Sequence, residues 1–172
     1  MQRIAKFHKV SYEQFREGIE GVLNPWEGTH NIEELYKSIK LPQRATSGSA
    51  GYDFYTPFNI VLAPGDTIKV PTGIRVEIED GWVLKIYPRS GFGFKYRLQL
   101  DNTVGIIDSD YFYSDNEGHI FIKITNDTKN KLILNIPAGM AFAQGIFLEY
   151  GITVDDNATA TRNGGFGSTG MN

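Results

Sequence analysis

Hydrophobic and polar positions change their period near residue 45 of the chain. Before it, residues 11 to 40 place apolar side chains at helical spacing, first in SYEQFREGIEGVL and again in NIEELYKSIK. Ser11 and Gln14 are spaced as a capping box, and Asn31 is placed to cap the second run. The pattern predicts a helical hairpin. Its apolar stripe favours a packing appendage, with a partner-binding or lid element as the alternative.

After residue 45, apolar and polar residues alternate, which is the period of a half-buried strand. Ile74, Val76 and Ile78 alternate with charged residues. Runs with the same period lie at 82 to 86, 120 to 124 and 132 to 136, and APGD and PAGM separate strands as turns. Short alternating strands between Gly and Pro turns predict an all-β fold, which is an antiparallel sandwich, a jelly roll or a distorted barrel.

Composition narrows the class of protein. The chain has 172 residues, 41% of them hydrophobic, which fits one globular domain with a real core. It has no cysteine, so disulfides, thiolate zinc sites and a cysteine nucleophile are excluded. A net charge of -3 argues against binding of nucleic-acid polymers, and His8, His30 and His119 are too scattered for a metal motif. The sequence lacks a long apolar run and a signal peptide pattern, so we expect a cytoplasmic protein with no membrane partner.

Five loop-like segments carry residues that a core does not need. SGSAGYDF, residues 47 to 54, combines small residues that allow close backbone approach with a single charge at Asp53. In PRSGFGFK, residues 88 to 95, Arg89, the Ser90 hydroxyl and the amides around Gly91 are typical of an anion-binding nest, with a plain basic turn as the alternative.

The other three segments add a candidate base, an amide and a tail. DNTVGIIDSDY, residues 101 to 111, sets an acidic pair and a tyrosine after two isoleucines; an Asp beside a phosphate-binding loop can act as general base on water, and an acidic turn is the alternative. In GMAFAQGIF, Gln144 is either a satisfied buried amide or a ligand contact. TRNGGFGSTG, residues 161 to 170, is rich in glycine and should stay mobile unless a ligand or a neighbouring chain orders it.

In this order and spacing, the five segments resemble the five motifs of the trimeric dUTP pyrophosphatase (dUTPase) family over residues 41 to 170. GIIDSDY matches the family pattern at every defining position. The resemblance implies one domain over residues 1 to 172, a jelly-roll-like distorted β-barrel to which the helical hairpin is added, with residues 161 to 172 as a flexible lid. It also implies a homotrimer in which each active site draws on all three chains.

The function that this resemblance implies is hydrolysis of dUTP to dUMP and pyrophosphate, which controls the dUTP pool and supplies dUMP for thymidylate synthesis. Asp108 matches the carboxylate that activates water. Mg²⁺ would be held mainly by the three phosphates, with Asp53 contacting it through water. The resemblance also implies substrate contacts. Those to the phosphates would be made by Arg89, Ser90, Gly91 and Gln144, those to the uracil edge by Asn102, Gly105, Ile106 and Ile107, and that to the deoxyribose by Tyr111. The tail would contribute Arg162, Phe166, Gly167 and Ser168.

The sequence departs from the family pattern in four places. Ala141 stands where many relatives carry arginine, and Arg162 lies four positions before Phe166 where five is usual. FYSDNE, residues 112 to 117, lengthens the hairpin after the third motif, and the helical hairpin is also additional. Such decorated variants are similar to phage-encoded or bacterial dUTPases, some of which bind regulatory proteins. The helical hairpin and the lengthened hairpin therefore predict a site for a regulatory protein partner.

Two other functions compete with dUTP hydrolysis. A dCTP deaminase shares this fold and the GM-x-x-x-Q arrangement at residues 139 to 144, but such enzymes usually have a Pro-Gly-Phe turn where DSDY stands here, and HIFIKIT contains no glutamate. The second is a catalytically silent relative that serves as a regulatory binding module. The intact Asp108, Tyr111 and glycine-rich tail argue against it, since such a module needs none of them.

Overall fold

The computed structural model describes residues 2–22, 31–162 and 164. The strands are β1 Ala5–Lys9, β2 Gln43–Arg44, β3 Tyr52–Tyr55, β4 Ile60–Leu62, β5 Thr67–Pro71, β6 Ile74–Ile78, β7 Trp82–Pro88, β8 Leu98–Leu100, β9 Gly105–Ile107, β10 Phe121–Asn126, β11 Leu134–Ile136 and β12 Ala141–Glu149. The helices are α1 Tyr12–Glu20, α2 Ile32–Ser38 and α3 Ser90–Tyr96, with a 3-10 helix at Ser109–Tyr113. None of the helices described has the length and apolarity needed to span a bilayer.

The strands pair into four sheets within the described residues, and every pairing is antiparallel. The largest sheet has the order β2-β3-β12-β7-β9, and a three-stranded sheet has the order β5-β10-β8. β1 pairs with β6, and β11 pairs with β4. Alternate residues of these strands face one core, in which Phe54, Leu84 and Ile124 are fully buried. The all-β character expected from the alternation is confirmed.

The two helices predicted before residue 45 are present, and their caps explain where they begin. The Ser11 hydroxyl accepts the backbone N–H of Gln14 at 3.2 Å, and the Asn31 side chain accepts those of Glu33 and Glu34. Phe15 and Ile19 of the first helix are buried in the core. Burial of each such side chain contributes about 1.5 to 3 kcal/mol, so the packing interpretation of the apolar stripe is supported.

Two elements differ from the sequence-based expectation. β1 was not predicted, because AKFHK has only two apolar positions, Ala5 and Phe7, yet it pairs with β6 along its whole length. The prediction of a loop over residues 88 to 95 is wrong, since α3 begins at Ser90 despite the low helix propensity of its two glycines. Phe92 and Tyr96, four residues apart on α3, pack with ring centres 6.3 Å apart and favour the helix.

A β-bulge interrupts β12 near its start. Ala141 pairs with Tyr55 and Ala143 pairs with the preceding Phe54, so Phe142 is the extra residue on the bulged strand. The Phe142 side chain is fully buried. The bulge moves the register of the following residues by one and thereby places Gln144 opposite Asp53.

Candidate active site

Residues of the first, second and fourth segments meet at one end of the five-stranded sheet, in a group that we call the arginine cluster: Asp53, Arg89, Ser90 and Gln144. The sheet register aligns Gln144 with Asp53 on one side and with Tyr87 on the other. The Arg89 guanidinium lies 3.4 Å from the Asp53 carboxylate, and the Gln144 amide donates to the Pro88 carbonyl at 3.3 Å. Arg89 remains 43% exposed and can still bind an anion.

Close backbone approach shapes this cluster. A Cβ atom on Gly51 would lie 2.7 Å from the side-chain oxygen of Gln144, so a larger residue would displace that amide. Ser90 and Gly91 form the first turn of α3 and are exposed. Backbone N–H groups in a first helical turn have no partner within the helix, and they are suited to bind phosphate together with the neighbouring arginine.

The aspartate cluster consists of Asp108, Asp110, Tyr111 and Arg162. Asp108 precedes the 3-10 helix as its N-cap residue and is about half exposed. The Arg162 guanidinium bridges the two carboxylates, at 2.6 Å from Asp108 and 2.9 Å from Asp110. Both contacts lie within one chain. Arg162 contacts one oxygen, Oδ2, of the Asp108 carboxylate that the sequence singled out as a base.

Tyr111 is fixed from behind by the loop that follows it. Its hydroxyl donates to the His119 carbonyl at 2.7 Å and accepts from the Asn116 amide at 2.9 Å. The side chain is only 3% exposed, and burial raises the pKa of its hydroxyl. The Arg162 guanidinium lies 5.8 Å from the ring centre. Tyr111 is therefore held rigidly beside the two carboxylates, with its ring almost fully covered in the single chain.

β9 lies at the edge of the five-stranded sheet, next to these carboxylates. An edge strand keeps one row of backbone N–H and C=O groups free of strand partners. Gly105 and Ile107 are buried, whereas Ile106 is 47% exposed. Asn102 stands in the exposed turn before the strand. The segment can thus offer a ligand both backbone groups and one side-chain amide.

The two clusters are far apart in one chain. Ile107 is opposite Leu84 on β7, whereas Gln144 is opposite Tyr87 on the other side of that strand. The backbones of Ile107 and Gln144 are therefore three residues apart along β7 and two strand spacings apart across it, which is a distance of about 14 Å. Asp108 lies one residue further from Gln144, because β9 runs away from that end of the sheet. A single chain therefore does not bring Asp108 to the arginine cluster.

Metal ligands are sparse in the part of the chain that the structure describes, where no three His, Asp or Glu side chains form a group that could hold a metal ion. Asp53 is the acidic residue of the arginine cluster, and its carboxylate already faces Arg89. Its donor set suits a contact to a hydrated cation better than direct coordination.

Comparison with known proteins decides the family. The dUTPase family model matches residues 37–170. The chain belongs to the dUTPase family. Its deoxyuridine 5'-triphosphate nucleotidohydrolase relative from Lactococcus lactis is 39% identical over 135 residues, which cover 77% of this chain and 89% of the relative. The crystal structure of the dUTPase from Streptococcus mutans is 30% identical, with a TM-score of 0.62, and the match covers 87% of this chain and 98% of that one.

A mutant dUTPase from phage phi11 of S. aureus shares the fold at 18% identity, with a TM-score of 0.60, over 92% of this chain and 98% of that chain. That structure reveals the coordination of a structural Mg(II) ion. The jelly-roll-like fold predicted from the motifs is confirmed by these dUTPase structures. These comparisons give no support to the dCTP deaminase alternative.

Most of the predicted dUTPase site residues fall into the two clusters or beside them. Phe166, Gly167 and Ser168 lie outside the described residues. Sequence reasoning did not select Asp110 or Gly51 as site residues. The acidic pair in DSD could have indicated Asp110, and the run of small residues in SGSAG could have indicated Gly51. The contacts of Arg162 with Asp108 and Asp110 were not expected from the sequence, which placed Arg162 among the substrate contacts of the tail.

Proposed function

We propose that this dUTPase-family chain is a dUTP diphosphatase, which hydrolyses dUTP to dUMP and pyrophosphate. The observation that carries the proposal is the aspartate cluster: a half-exposed Asp108 carboxylate beside the buried Tyr111 ring and the free edge of β9. This arrangement can activate water next to a bound nucleoside. The Lactococcus lactis relative bears the name of this activity.

In the proposed reaction, Asp108 accepts a proton from water while the water oxygen attacks the α-phosphorus. The bond from that phosphorus to the oxygen bridging to the β-phosphate breaks, and pyrophosphate leaves. General-base assistance of this kind contributes on the order of a hundredfold to ten-thousandfold in rate. In the single chain the Arg162 guanidinium donates to Oδ2 of Asp108, and nucleotide binding would draw the guanidinium away from the base. The phosphates of the nucleotide are the natural new partners for it.

The active site is proposed to be shared within a homotrimer. The separation of about 14 Å across β7 supports sharing, since the phosphate contacts of Arg89 and Gln144 and the base at Asp108 must act on one nucleotide. One chain would contribute the arginine cluster and a neighbour the aspartate cluster. The glycine-rich tail, as predicted from the resemblance, would come from the remaining chain.

Selectivity for uracil is assigned to β9 and Asn102. Uracil and cytosine differ in their hydrogen-bonding groups at N3 and C4, and a mismatched buried group costs about 1 to 3 kcal/mol. Tyr111 would pack under the deoxyribose, so that a 2′-hydroxyl has no room. Its two hydroxyl hydrogen bonds support a fixed position for the ring.

Mg²⁺ is the proposed cofactor and would be held mainly by the triphosphate. When bound, it would neutralise phosphate charge. Asp53 would contact it through water, and Arg89, Ser90 and Gln144 would hold the phosphates. The cytoplasm, where the dUTP pool lies, is the proposed location.

A regulatory protein partner at the two additions is a further part of the proposal. The additions are helices α1 and α2 and residues 112 to 117. Tyr113, in the second addition, is 76% exposed and would be available to such a partner.

Incubation with each deoxynucleoside triphosphate and with UTP, followed by separate assays for pyrophosphate and ammonia, tests the function. We expect Mg²⁺-dependent pyrophosphate release from dUTP and far weaker release from dCTP, dTTP and UTP. Ammonia from dCTP would instead establish a deaminase. Absence of both products would favour the silent binding module, and comparable rates on UTP would refute the role of Tyr111.

A further inference from the structure

The two segments that are additional to the family pattern meet behind the aspartate cluster. Glu117, at the end of the lengthened hairpin, reaches the start of α1. Its carboxylate accepts hydrogen bonds from the Ser11 backbone N–H at 2.8 Å and from the Ser11 hydroxyl at 2.6 Å. These bonds join positions 106 residues apart in the sequence.

Glu117 completes the cap of α1. The sequence suggested that the Gln14 side chain would accept the Ser11 N–H, but that N–H goes to Glu117. A carboxylate at this position also complements the positive end of the helix dipole. Burial acts to raise the pKa of Glu117, but the bonds from Ser11 and the nearby Arg75 outweigh it and hold the pKa below its ordinary value. The carboxylate is therefore charged at neutral pH.

The same carboxylate faces Arg75 of β6, which in turn holds the 3-10 helix. Arg75 lies 3.9 Å from Glu117 and donates to the Phe112 carbonyl at 2.5 Å. Its guanidinium also stacks 3.6 Å from the centre of the Phe112 ring. Phe112 follows Tyr111 directly, and the Asp108 carbonyl accepts the Tyr111 backbone N–H at 3.2 Å at the start of the same helix. Continuous contacts thus lead from α1 to the carboxylate proposed as the base.

The backbone of the hairpin is held in an uncommon conformation. Glu117 has a φ of 56°, in the left-handed region that non-glycine residues seldom adopt. Gly118 follows with a φ of 68°, and a Cβ there would lie 2.7 Å from the Tyr111 carbonyl. Such strain persists only where surrounding contacts over-determine it, and it clusters at functional sites. The contacts with Ser11 and Arg75 supply that constraint.

We propose that Glu117 is a positioning residue, which ties α1 to the 3-10 helix and thereby fixes Asp108 for catalysis. The catalytic part of this inference rests on the proposed dUTP hydrolysis. Glu117 touches neither Asp108 nor the arginine cluster. Its loss should therefore misplace the base while the phosphate contacts of Arg89 and Gln144 remain, so turnover changes more than KM.

Three variants of the full-length chain test the proposal. Glu117→Gln keeps the shape and removes the charge. Glu117→Gly suits the left-handed backbone and removes the side chain alone. Asp115→Asn is the matched control, since it removes the same charge from the same loop at an exposed position that has no hydrogen bond or ion pair within the described residues. Each variant is assayed for kcat and KM on dUTP and for amide hydrogen exchange.

In Glu117→Gly we expect kcat to fall about tenfold with KM within about threefold of the parent, the pattern of a misplaced catalytic group. Amides of residues 109 to 114 should exchange about tenfold faster, because the 3-10 helix opens more often. The kcat and the exchange rates of Glu117→Gln should lie between those of Glu117→Gly and those of Asp115→Asn. Asp115→Asn should match the parent in both.

Parental kcat and parental exchange over residues 109 to 114 in Glu117→Gly would overturn the proposal. It would equally fail if exchange rose uniformly over the chain while kcat of the folded protein stayed the same, since Glu117 would then serve stability alone. If the parent releases no pyrophosphate from dUTP, the proposed function fails. The exchange comparison then still decides whether Glu117 holds the 3-10 helix.

Discussion

Arg89 and Asp108 of one chain should serve different nucleotides, and complementation between two inactive variants tests this. Arg89→Ala removes the proposed phosphate contact at one end of the five-stranded sheet. Asp108→Asn removes the proposed base at the other end while keeping its shape, and it should lower turnover by at least about a hundredfold. Trimers made from either variant alone contain no complete site.

Mixing restores complete sites in a proportion that the geometry fixes. In a trimer with sites shared between neighbours, one chain supplies Arg89 and a different chain supplies Asp108. In a random one-to-one mixture, the chain that supplies Arg89 to a site is the Asp108→Asn variant, with an intact arginine, half of the time. The chain that supplies Asp108 is the Arg89→Ala variant, with an intact aspartate, half of the time. About a quarter of the sites are then complete, so about a quarter of the parental activity should return.

The assay is pyrophosphate release from dUTP after the two variants are unfolded and refolded together. Mixed trimers are verified by different affinity tags on the two chains. The control replaces the Asp108→Asn chain by one that carries both substitutions, which leaves no intact Arg89 in any trimer. Verified mixed trimers without recovered activity would refute the argument from the sheet register, because each site would then take both residues from one chain.

Three further predictions concern the base, the tail and a buried histidine. Asp108→Asn should leave nucleotide affinity within about a few-fold of the parent, measured by calorimetry, and a large loss of affinity would contradict a role confined to the transition state. A chain truncated after Ala160 should remain a folded trimer by light scattering yet lose most activity, and unchanged activity would exclude the tail from the site. Burial lowers the pKa of His119 from 6.5 to about 4, so the folded chain binds fewer protons there than the unfolded chain, and stability is lost as pH falls from 6.5 towards 4. That loss should reach up to about 3 kcal/mol in denaturant titrations. His119→Gln, which can still accept the Gly73 N–H, should flatten the pH dependence, and an unchanged slope would assign it to other groups.

Sequence reasoning predicted what depends on local pattern. Ile74, Val76 and Ile78 alternate along β6 and all are buried, and Ser11 caps α1 as its spacing predicts. α3 was missed because Gly91 and Gly93 lower its helix propensity, while the contact between two aromatic side chains that favours it is not visible as a period.

The sequence predicted which residues belong to the candidate site, but it did not predict which of them lie together in one chain. GIIDSDY pointed to Asp108 and Tyr111 by motif, and PRSG pointed to Arg89 in the same way. The distance between them depends on how β7 pairs with β9 and β12, which no local pattern encodes. The bond from Glu117 to Ser11 spans most of the chain, so only the folded structure could reveal it.

Because of the bulge at Phe142, the effect of inserting or deleting a residue depends strongly on the position of the change in the chain. Residues 129 to 131, between β10 and β11, form an exposed turn, where insertion of a few residues alters only the reach of the loop. In β12, deletion of the extra residue Phe142 would leave Ala143 opposite Phe54 and Gln144 opposite Asp53, as in a regular ladder. Insertion of a single residue after Ala143 would instead reverse the facing of every later side chain in the strand. Gln144 would then point away from Asp53 although neither residue had been substituted. Natural variants of this protein should therefore differ in length between β10 and β11 and keep a fixed length in β12 after the bulge.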